Sequence, residues 1–341
     1  MALRDQHVTL AHGGGGKAMR DLIGEVFTSV FEPESSEDQA RLMSDAVREP
    51  GARLAFTTDS FVVDPVEFPG GDIGKIAVCG TVNDLAVGGA TPLWLSAAFI
   101  IEEGTEIALL RRIVASMKAE ADRAGVRIVT GDTKVVGRGS ADKVFITTSG
   151  IGVIPAGRDL CAAHVQPGDV AIVNHVLGDH GAAILAARGE MALSADIPSD
   201  CAGLGHLMAA VAQACPTLRC ARDATRGGLA SALNEIADEA GVAVEIAEDT
   251  LPIRAEVKGM CEILGLDPLY LANEGTLVLF VAPEDVDAAL AAMRSVPEGQ
   301  GAVVIGRVHD FGYGPRVTMR TLFGGARIVD MLVGEQLPRI C

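Results

Sequence analysis

The sequence predicts a mixed α/β protein, of the α/β or α+β class, with two halves that each contain their own sheet. Its 341 residues are more than one hydrophobic core usually organises. Short apolar segments alternate with longer amphipathic segments on both sides of a central stretch, 155–169. That stretch contains two prolines and two glycines and shows no periodicity, so we expect the linker there.

The elements of the first half follow in order from local signals. A glycine-rich loop, Gly13–Gly16, precedes a predicted helix from Lys17 to Phe27. Further along we expect a polar surface loop over 32–50, strands over 53–58, 92–101, 126–130 and 143–154, and helices over 71–87 and 106–124. Gly125 follows the last of these helices and is a typical C-terminal stop.

The same signals predict the second half. We expect strands over 170–174, 242–246, 276–282 and 302–308, and helices over about 179–189, 202–214, 229–240, 254–264 and 284–294. A turn at 223–228 precedes the third of these helices. The predicted organisation is therefore an N-terminal domain over 1–155, a C-terminal domain over 170–330, and a mobile tail over 331–341.

Charge and cysteine content exclude several classes of protein. The net charge of −17 argues against nucleic acid and anionic membrane as main partners. The first residues lack the apolar region of a signal peptide, and no apolar run approaches the ~18 residues of a membrane span. Seven cysteines without paired spacing favour reduced thiols in a cytoplasm.

The chain ends in Cys341, and a thiol at the end of a loose tail can move between two sites. A tail that is free from Gly334 onward would carry the sulfur roughly 24 Å, at ~3.4 Å per residue. This position predicts a carrier thiol that is loaded at one place and presented at another. The alternative is a frayed end with an incidental cysteine.

Four aspartates occupy turns or the ends of predicted elements: Asp59, Asp84, Asp132 and Asp223. Carboxylates in such positions can converge on Mg²⁺, which accepts one or two of them and bridges to phosphate oxygens. The alternative for each is ordinary turn or cap chemistry. The loop Gly13–Gly16 departs from the Walker pattern but could hold an anion on backbone amides at the start of a helix.

Lys134 and Glu274 are candidates for acid–base chemistry. Lys134 is two residues beyond Asp132, so an extended backbone would place both on one face. Glu274 comes directly before a strongly apolar strand, where a carboxylate could act as a base. An exposed lysine and a turn glutamate are the alternatives.

Two cysteines and a histidine near Cys201 fall within twenty residues of one another but do not favour a metal site. Their spacing matches no paired-ligand motif. Cys201 and Cys215 lie along one predicted helix, at positions about 21 Å apart. One ion cannot be bound by both, even with His206 and Cys220 nearby.

Six motifs together resemble one family from end to end. They are Ala11–Gly16 (AHGGGG), Thr57–Ser60 (TTDS), Cys79–Ala90 (CGTVNDLAVGGA), Gly131–Lys134 (GDTK), Asp223–Gly228 (DATRGG) and the terminal Pro338–Cys341 (PRIC). The chain is similar to the HypE family of hydrogenase maturation factors, in the superfamily of aminoimidazole ribonucleotide synthetase and selenophosphate synthetase. The terminal motif distinguishes HypE within that superfamily.

The resemblance implies a two-domain PurM-like fold. In that fold the N-terminal sheet pairs with its counterpart to form a barrel across a homodimer, and the C-terminal domain is a ferredoxin-like α/β layer. It also implies a reaction in which a partner, HypF, places a carbamoyl group on Cys341. ATP then phosphorylates the carbamoyl oxygen, dehydration leaves a thiocyanate, and a HypC–HypD complex accepts the cyanide for the iron of nickel–iron hydrogenase.

Residue roles follow from the same resemblance. Cys341, Lys134 and Glu274 are the expected catalytic residues. The expected nucleotide-binding residues are Gly14, Gly15, Asp59, Asn83, Asp84, Asp132, Asp223 and Thr225, with Asp59, Asp84 and Asp132 as Mg²⁺ ligands. Two alternatives remain open: another ATP-using synthetase of the superfamily that acts on a small molecule, and a redox or metal carrier that uses Cys341.

Overall fold

The structure is a computed structural model that describes residues 5–34, 39–189, 197–310, 312, 314–332, 334, 337, 339 and 340. Its helices are α1 (Lys17–Leu22), α2 (Ser29–Phe31), α3 (Ile73–Val87), α4 (Ile107–Ala124), α5 (Asp179–Arg188), α6 (Gly205–Ala214), α7 (Gly228–Ala240), α8 (Ala255–Leu264) and α9 (Val286–Arg294). A π-helical segment, Ile23–Thr28, joins α1 to α2. Within the described ranges, none of these helices is long and apolar enough to cross a membrane.

The strands are β1 (Arg53–Phe61), β2 (Glu67–Phe68), β3 (Gly71–Asp72), β4 (Thr91–Glu102), β5 (Arg127–Val136), β6 (Val144–Ile154), β7 (Val170–Val173), β8 (Cys220–Asp223), β9 (Ala243–Ala247), β10 (Leu277–Val281), β11 (Val303–His309), β12 (Arg316–Arg320) and β13 (Ala326–Ile328). They form a four-stranded sheet in the order β1-β6-β4-β5, a seven-stranded sheet in the order β13-β12-β9-β11-β7-β10-β8, and a small two-stranded sheet of β2 and β3. The predicted mixed α/β class, with one sheet in each half, is confirmed.

Two strands are longer than predicted, and this changes where three candidate residues lie. β1 continues to Phe61 and β5 continues to Val136. Asp59 pairs with Thr148 of β6, so it lies inside a strand. The expected turns at Thr57–Ser60 and Gly131–Lys134 are wrong because the ladder with neighbouring strands overrides the local preference of Asp and Gly for turns.

Helix α3 covers one face of the four-stranded sheet. Asp72 caps it by accepting a hydrogen bond from the Lys75 N–H at 2.9 Å. Most of α3 is buried, and its small residues allow a close approach to the sheet. A Cβ on Gly80 would lie 2.9 Å from the Phe61 ring, so only glycine fits there. This packing brings the C-terminal end of α3 to the β1 edge of the sheet.

The opposite face of the sheet is open in the single chain. Phe56 is 71% exposed and Leu54 is 63% exposed, although both are apolar residues on β1. Ile100 of β4 is also exposed. Exposed apolar residues side by side on a sheet face are typical of an interface.

Asn83 joins the two halves at the end of α3. Its side-chain amide donates to the carbonyl oxygens of Ala202 (3.0 Å) and Glu274 (3.4 Å). Its Oδ1 accepts from the Leu204 N–H at 2.7 Å. Because Asn83 is almost fully buried, these bonds hold the second half against the C-terminal end of α3.

Candidate functional site

Acidic side chains from both halves meet where α3 ends against the second sheet. Asp84 follows Asn83 on α3 and accepts a hydrogen bond from the Thr57 hydroxyl at 2.8 Å. Burial, together with the nearby carboxylates of Asp223 and Asp59, raises the pKa of Asp84 to about 6. The three carboxylates therefore share one electrostatic environment.

Asp223 ends β8, directly before the turn into α7. Burial raises the pKa of Asp223, and a hydrogen bond from the Thr225 side chain partly opposes that effect. The turn that follows requires glycine, since Gly227 and Gly228 have φ angles of 76° and 61°. A Cβ on Gly228 would lie 2.4 Å from the Leu269 carbonyl oxygen. The turn fixes where Asp223 and Thr225 point.

Glu274 is the most deeply buried acid of this cluster, with 3% of its surface exposed. Burial raises the pKa of Glu274 well above its usual range, with further contributions from Asp200, Asp223 and Asp59. Its loop is held by Asp200, whose two carboxylate oxygens accept from the N–H groups of Glu274 and Gly275, each at 3.0 Å. A carboxyl group in such a position can take up a proton near neutral pH.

We name this group, Asp59, Asp84, Asp200, Asp223 and Glu274, the acidic cluster. Asp200 was not predicted, because nothing in its local sequence separates it from other surface aspartates. Its importance follows only from the bonds it makes to a loop more than seventy residues away.

Two buried thiols border the acidic cluster. Cys79 of α3 is 1% exposed and Cys201 is 3% exposed. Burial, followed by a hydrogen bond with Cys79, raises the pKa of Cys201. Cys201 precedes α6 and contacts α3, whereas Cys215 caps the other end of α6. The sequence motif around Cys79 contained this thiol, but its contact with Cys201 was not predicted.

Asp132 does not join the acidic cluster within one chain. The pairing registers place Asp59, Thr148, Ala97 and Gly131 in one row across the sheet. The row spans three strand spacings, about 14 Å. Asp132 is the next residue, on the opposite face from Asp59. The expected ligand set of Asp59, Asp84 and Asp132 is therefore not formed in the single chain, because β1 and β5 are opposite edges of the sheet.

Lys134 lies with Asp132 on the open face. Its Nζ is 2.8 Å from Asp132 Oδ2, and this contact lowers the pKa of Asp132. Glu274 instead lies in the loop before β10, where its backbone carbonyl oxygen accepts from the Asn83 amide of α3 at 3.4 Å. The expected meeting of Lys134 and Glu274 is not formed in the single chain, because Lys134 lies on the open face of the sheet and α3 covers the other face.

The glycine-rich loop lies beside β5. A Cβ on Gly13 would be 2.9 Å from the Cβ of Val135, so the loop packs closely against the strand that carries Lys134. Gly14 and Gly15 follow, and Gly15 has a φ of 74°. The loop therefore shares the β5 edge with Asp132 and Lys134.

In the described parts of the chain, no group of three or more His, Cys, Asp or Glu side chains is placed to hold a metal ion. Asp59 and Asp84 nevertheless fit Mg²⁺, which needs only one or two carboxylates and completes its shell with water and phosphate. The raised pKa of Asp84 reflects first its burial and then the negative charge of Asp223 and Asp59, which a cation would relieve. The six described cysteines form no disulfide.

The expected carrier, Cys341, lies outside the described residues. The preceding residue, Ile340, is described and is 5% exposed. Its carbonyl oxygen lies 2.7 Å from Nε2 of His180, and the charge of Asp200 acts on that histidine. The described end of the tail therefore lies near Asp200 of the acidic cluster.

Both halves match the AIR synthase related proteins. Residues 37–154 match the N-terminal domain of that family and residues 166–314 match its C-terminal domain. A carbamoyl dehydratase HypE of Rhodobacter capsulatus is 75% identical over 341 residues, covering 100% of both chains.

Solved structures agree with the sequence comparison. A hydrogenase maturation protein HypE in complex with ATP has a TM-score of 0.92 and 44% identity, covering 97% of this chain and 99% of that chain. The structure of a HypE–HypF complex contains a chain with a TM-score of 0.79 and 45% identity, covering 91% of this chain and 99% of that chain.

Proposed function

The chain belongs to the carbamoyl dehydratase HypE family of AIR synthase related proteins, and we propose that it dehydrates a carbamoyl group carried on Cys341. The observation that carries the proposal is the acidic cluster near Ile340, in which Glu274 is buried and has a raised pKa. The carrier thiol belongs to the residue that directly follows Ile340. ATP is the expected phosphoryl donor, since a close relative was solved with ATP.

The proposed reaction has two steps, a phosphoryl transfer and the loss of phosphate. The γ-phosphoryl group of ATP is transferred to the carbamoyl oxygen of the S-carbamoyl cysteine, and ADP leaves. The C–O bond then breaks, both amide protons are lost, and the oxygen departs in inorganic phosphate. The product is S–C≡N on the same sulfur. Activating the oxygen in this way makes it a leaving group, and a base must accept the nitrogen protons.

Glu274 is the proposed base. Its burial removes competing water, and its raised pKa makes it a better proton acceptor than an ordinary carboxylate. Asp200 holds the Glu274 backbone, so the carboxyl group is presented from a fixed loop.

Asp84 and Asp59 are the proposed Mg²⁺ ligands, with Asp223 close enough to contribute charge. When bound, the cation would balance the charge of the ATP phosphates. Thr57 orients the Asp84 carboxylate from β1. Asn83, the residue before Asp84, instead bonds the backbone of the second half at Ala202 and Leu204.

A homodimer is the proposed assembly. The open face carries Phe56, Leu54 and Ile100, which a second four-stranded sheet would cover by closing a barrel. A barrel with its two-fold axis along the barrel axis places the β5 edge of one subunit beside the β1 edge of the other. We therefore propose that Lys134 and the glycine-rich loop act on the acidic cluster of the second subunit.

The two sheets and the tail have separate proposed roles, and two partners are proposed. The N-terminal sheet would bind the nucleotide and dimerise, the C-terminal sheet would present Glu274 and Asp223, and residues 331–341 would carry the thiol. HypF is the proposed carbamoyl donor because a relative was solved with it. The proposed acceptor of the cyanide is a HypC–HypD complex, and the proposed compartment is the cytoplasm.

Intact-mass spectrometry tests the function directly. The full chain is loaded with HypF, carbamoyl phosphate and ATP, and the nucleotide is removed before one half of the sample receives fresh ATP and Mg²⁺. We expect one carbamoyl adduct on Cys341 that loses one water only in the half that received ATP and Mg²⁺. A disulfide, a metal adduct or an unmodified Cys341 would contradict the proposal.

Mixing two inactive variants tests the shared site. Lys134→Ala and Glu274→Gln homodimers should both stall, whereas a mixture should recover about one quarter of the parental activity. Half of random dimers are mixed, and one of their two sites is intact. No recovery in dimers shown to exchange subunits would place Lys134 and Glu274 in the same subunit or remove Lys134 from the site.

A further inference from the structure

The last described residues of the chain are held through their backbone by both halves of the protein. His180 Nε2 lies 2.7 Å from the Ile340 carbonyl oxygen. Arg188 donates from Nη2 to the Arg339 carbonyl oxygen at 2.7 Å, and the Asp64 N–H donates to the same oxygen at 3.2 Å. Two consecutive carbonyls of the tail are therefore bound, whatever side chains follow them.

His180 has one orientation in this arrangement. Its Nδ1 is 2.9 Å from the Ser199 hydroxyl, which in turn accepts from the Cys201 N–H at 3.1 Å. A carbonyl can only accept, so Nε2 carries the proton and Nδ1 accepts from Ser199. The imidazole ring of His180 also packs against the Phe68 ring in a T-shaped arrangement, with the two ring centroids 5.4 Å apart. Because His180 is fully buried, its donor is fixed on the tail.

The side chains of the tail are held as well. Ile340 packs in the hydrophobic cluster that contains Ile184 of α5 and Ala272. Arg339 Nη1 lies 3.0 Å from each carboxylate oxygen of Asp142. Arg339 has a φ of 52°, a left-handed conformation that non-glycine residues rarely adopt. The two donors on its carbonyl compensate for that conformation.

We propose that His180, Arg188 and Asp142 form a tail clamp that seats the carbamoyl-loaded end of the chain for dehydration and opens for loading. The proposal deepens the proposed function and rests on it, because Cys341 directly follows Ile340. His180 is a positioning residue in this scheme, since it binds the backbone and not the reacting group.

The clamp is coupled to the acidic cluster by a short segment. Ser199 orients His180, and Cys201 donates to Ser199. Between them, Asp200 holds the backbone of Glu274. One three-residue segment therefore positions both the tail and the proposed base, which fixes the distance between them.

A clamp of this kind predicts opposite effects on two steps. HypF must reach the thiol, so a closed clamp slows loading. Dehydration needs the loaded thiol at the acidic cluster, so a closed clamp speeds it. Breaking the clamp should slow dehydration without slowing loading, whereas general damage to the fold would slow both.

The test uses the full-length chain with His180→Ala. The first measurement is the rate at which iodoacetamide alkylates Cys341, followed by peptide mapping. We expect an increase of about tenfold, as for loss of one buried hydrogen bond. Dehydration of the preloaded chain in a single turnover should fall about tenfold, with loading by HypF unchanged or faster. His206→Ala is the matched control, since His206 Nε2 contacts the Arg123 carbonyl at 2.9 Å on an exposed surface away from the tail.

Two further variants test the bonds that hold the tail. His180→Gln can still donate to the Ile340 carbonyl and should recover part of the dehydration rate. Arg188→Ala removes the side-chain donor to the Arg339 carbonyl oxygen, so it decides the matter if His180→Ala does not fold. Parental alkylation and dehydration rates in folded His180→Ala, or in folded Arg188→Ala, would overturn the clamp. If the parent chain accepts no carbamoyl group, the proposed function fails, while the alkylation rates still decide the clamp.

Discussion

Replacing Asp84 with asparagine should make the protein more stable and less able to use ATP. The neutral amide keeps the shape of the side chain, and its oxygen can still accept the hydrogen bond from Thr57. What changes is the charge. Asp84 is half-buried near Asp223 and Asp59, and these surroundings raise its pKa from 3.8 to about 6.

The magnitude follows from that pKa. A carboxyl group with a raised pKa contributes stability that is present below its unfolded pKa and is lost as pH rises through its folded pKa. At pH 8 the charged form therefore destabilises the fold by at most about 3 kcal/mol. Partial exposure to solvent reduces this to about 1–2 kcal/mol. Asp84→Asn should remove the penalty at pH 8 and have little effect at pH 4.

Thermal unfolding in chelator, followed by titration with ATP and Mg²⁺, measures both consequences. Without ligand, the melting temperature of Asp84→Asn at pH 8 should exceed that of the parent by about 2–4 °C. With ATP and Mg²⁺, the parent should gain stability and the variant should gain much less. Asp45→Asn, at an exposed position paired with Arg48, is the matched control.

Either half of this expectation can fail. A lower melting temperature at pH 8 would mean that Asp84 stabilises the fold through its bond with Thr57. Equal stabilisation of variant and parent by ATP and Mg²⁺, with unchanged turnover, would remove Asp84 from the nucleotide site and leave it as a helix-end residue.

Three other substitutions test different parts of the proposal. Glu274→Gln should load normally but slow water loss by a factor of about 10² or more, as expected for a lost general base, so its intact mass would stop at the carbamoyl stage; dehydration at the parental rate would exclude Glu274 as the base. Cys341→Ala, like deletion of Pro338–Cys341, should preserve the melting temperature and ATP binding but accept no carbamoyl group, and maturation of hydrogenase by this variant would exclude the tail as carrier. Phe56→Glu places a charge on the open sheet face and should weaken self-association, measured by light scattering. Phe323→Glu is the control, because Phe323 lies between β12 and β13, is 99% exposed, and should leave self-association unchanged. Equal effects of the two variants would argue against the barrel.

Local sequence signals located most elements of the fold, because helices and buried strands have strong periodicity. Helix α4 begins one residue after its predicted start and ends at Gly125 as expected. β12 and β13 were not predicted, since short strands at the edge of a sheet, rich in arginine and separated by glycines, lack the apolar alternation of a buried strand.

The site could be predicted only in part. Asp84, Asp223 and Glu274 were predicted because each lies in a turn, near the end of an element or shortly before a strand, and because the motifs around the two aspartates resemble the family. The position of Lys134 was not, because residue spacing does not reveal strand order. The order β1-β6-β4-β5 is set by pairing between distant segments, and it separates β5 from the acidic cluster.

The residues of the tail clamp could not be predicted from the sequence, because they contact residues far away along the chain. His180 contacts a residue 160 positions later in the chain, and Asp142 contacts one 197 positions later. Neither residue has a local signal that links it to the terminus. Only the packing of α5 between the two halves brings these groups together.

The acidic cluster destabilises the folded state, whereas the tail clamp stabilises the same region while the tail is bound. Buried carboxylates weaken the folded state, as the raised pKa values of Asp84, Asp223 and Glu274 indicate. Asn83 offsets this locally, since its three bonds tie the halves together beside the charges. The tail adds bonds from Arg339 and Ile340 only while it is seated. Release of the tail for loading should therefore loosen the site, and seating of a loaded tail should tighten it around the group to be dehydrated.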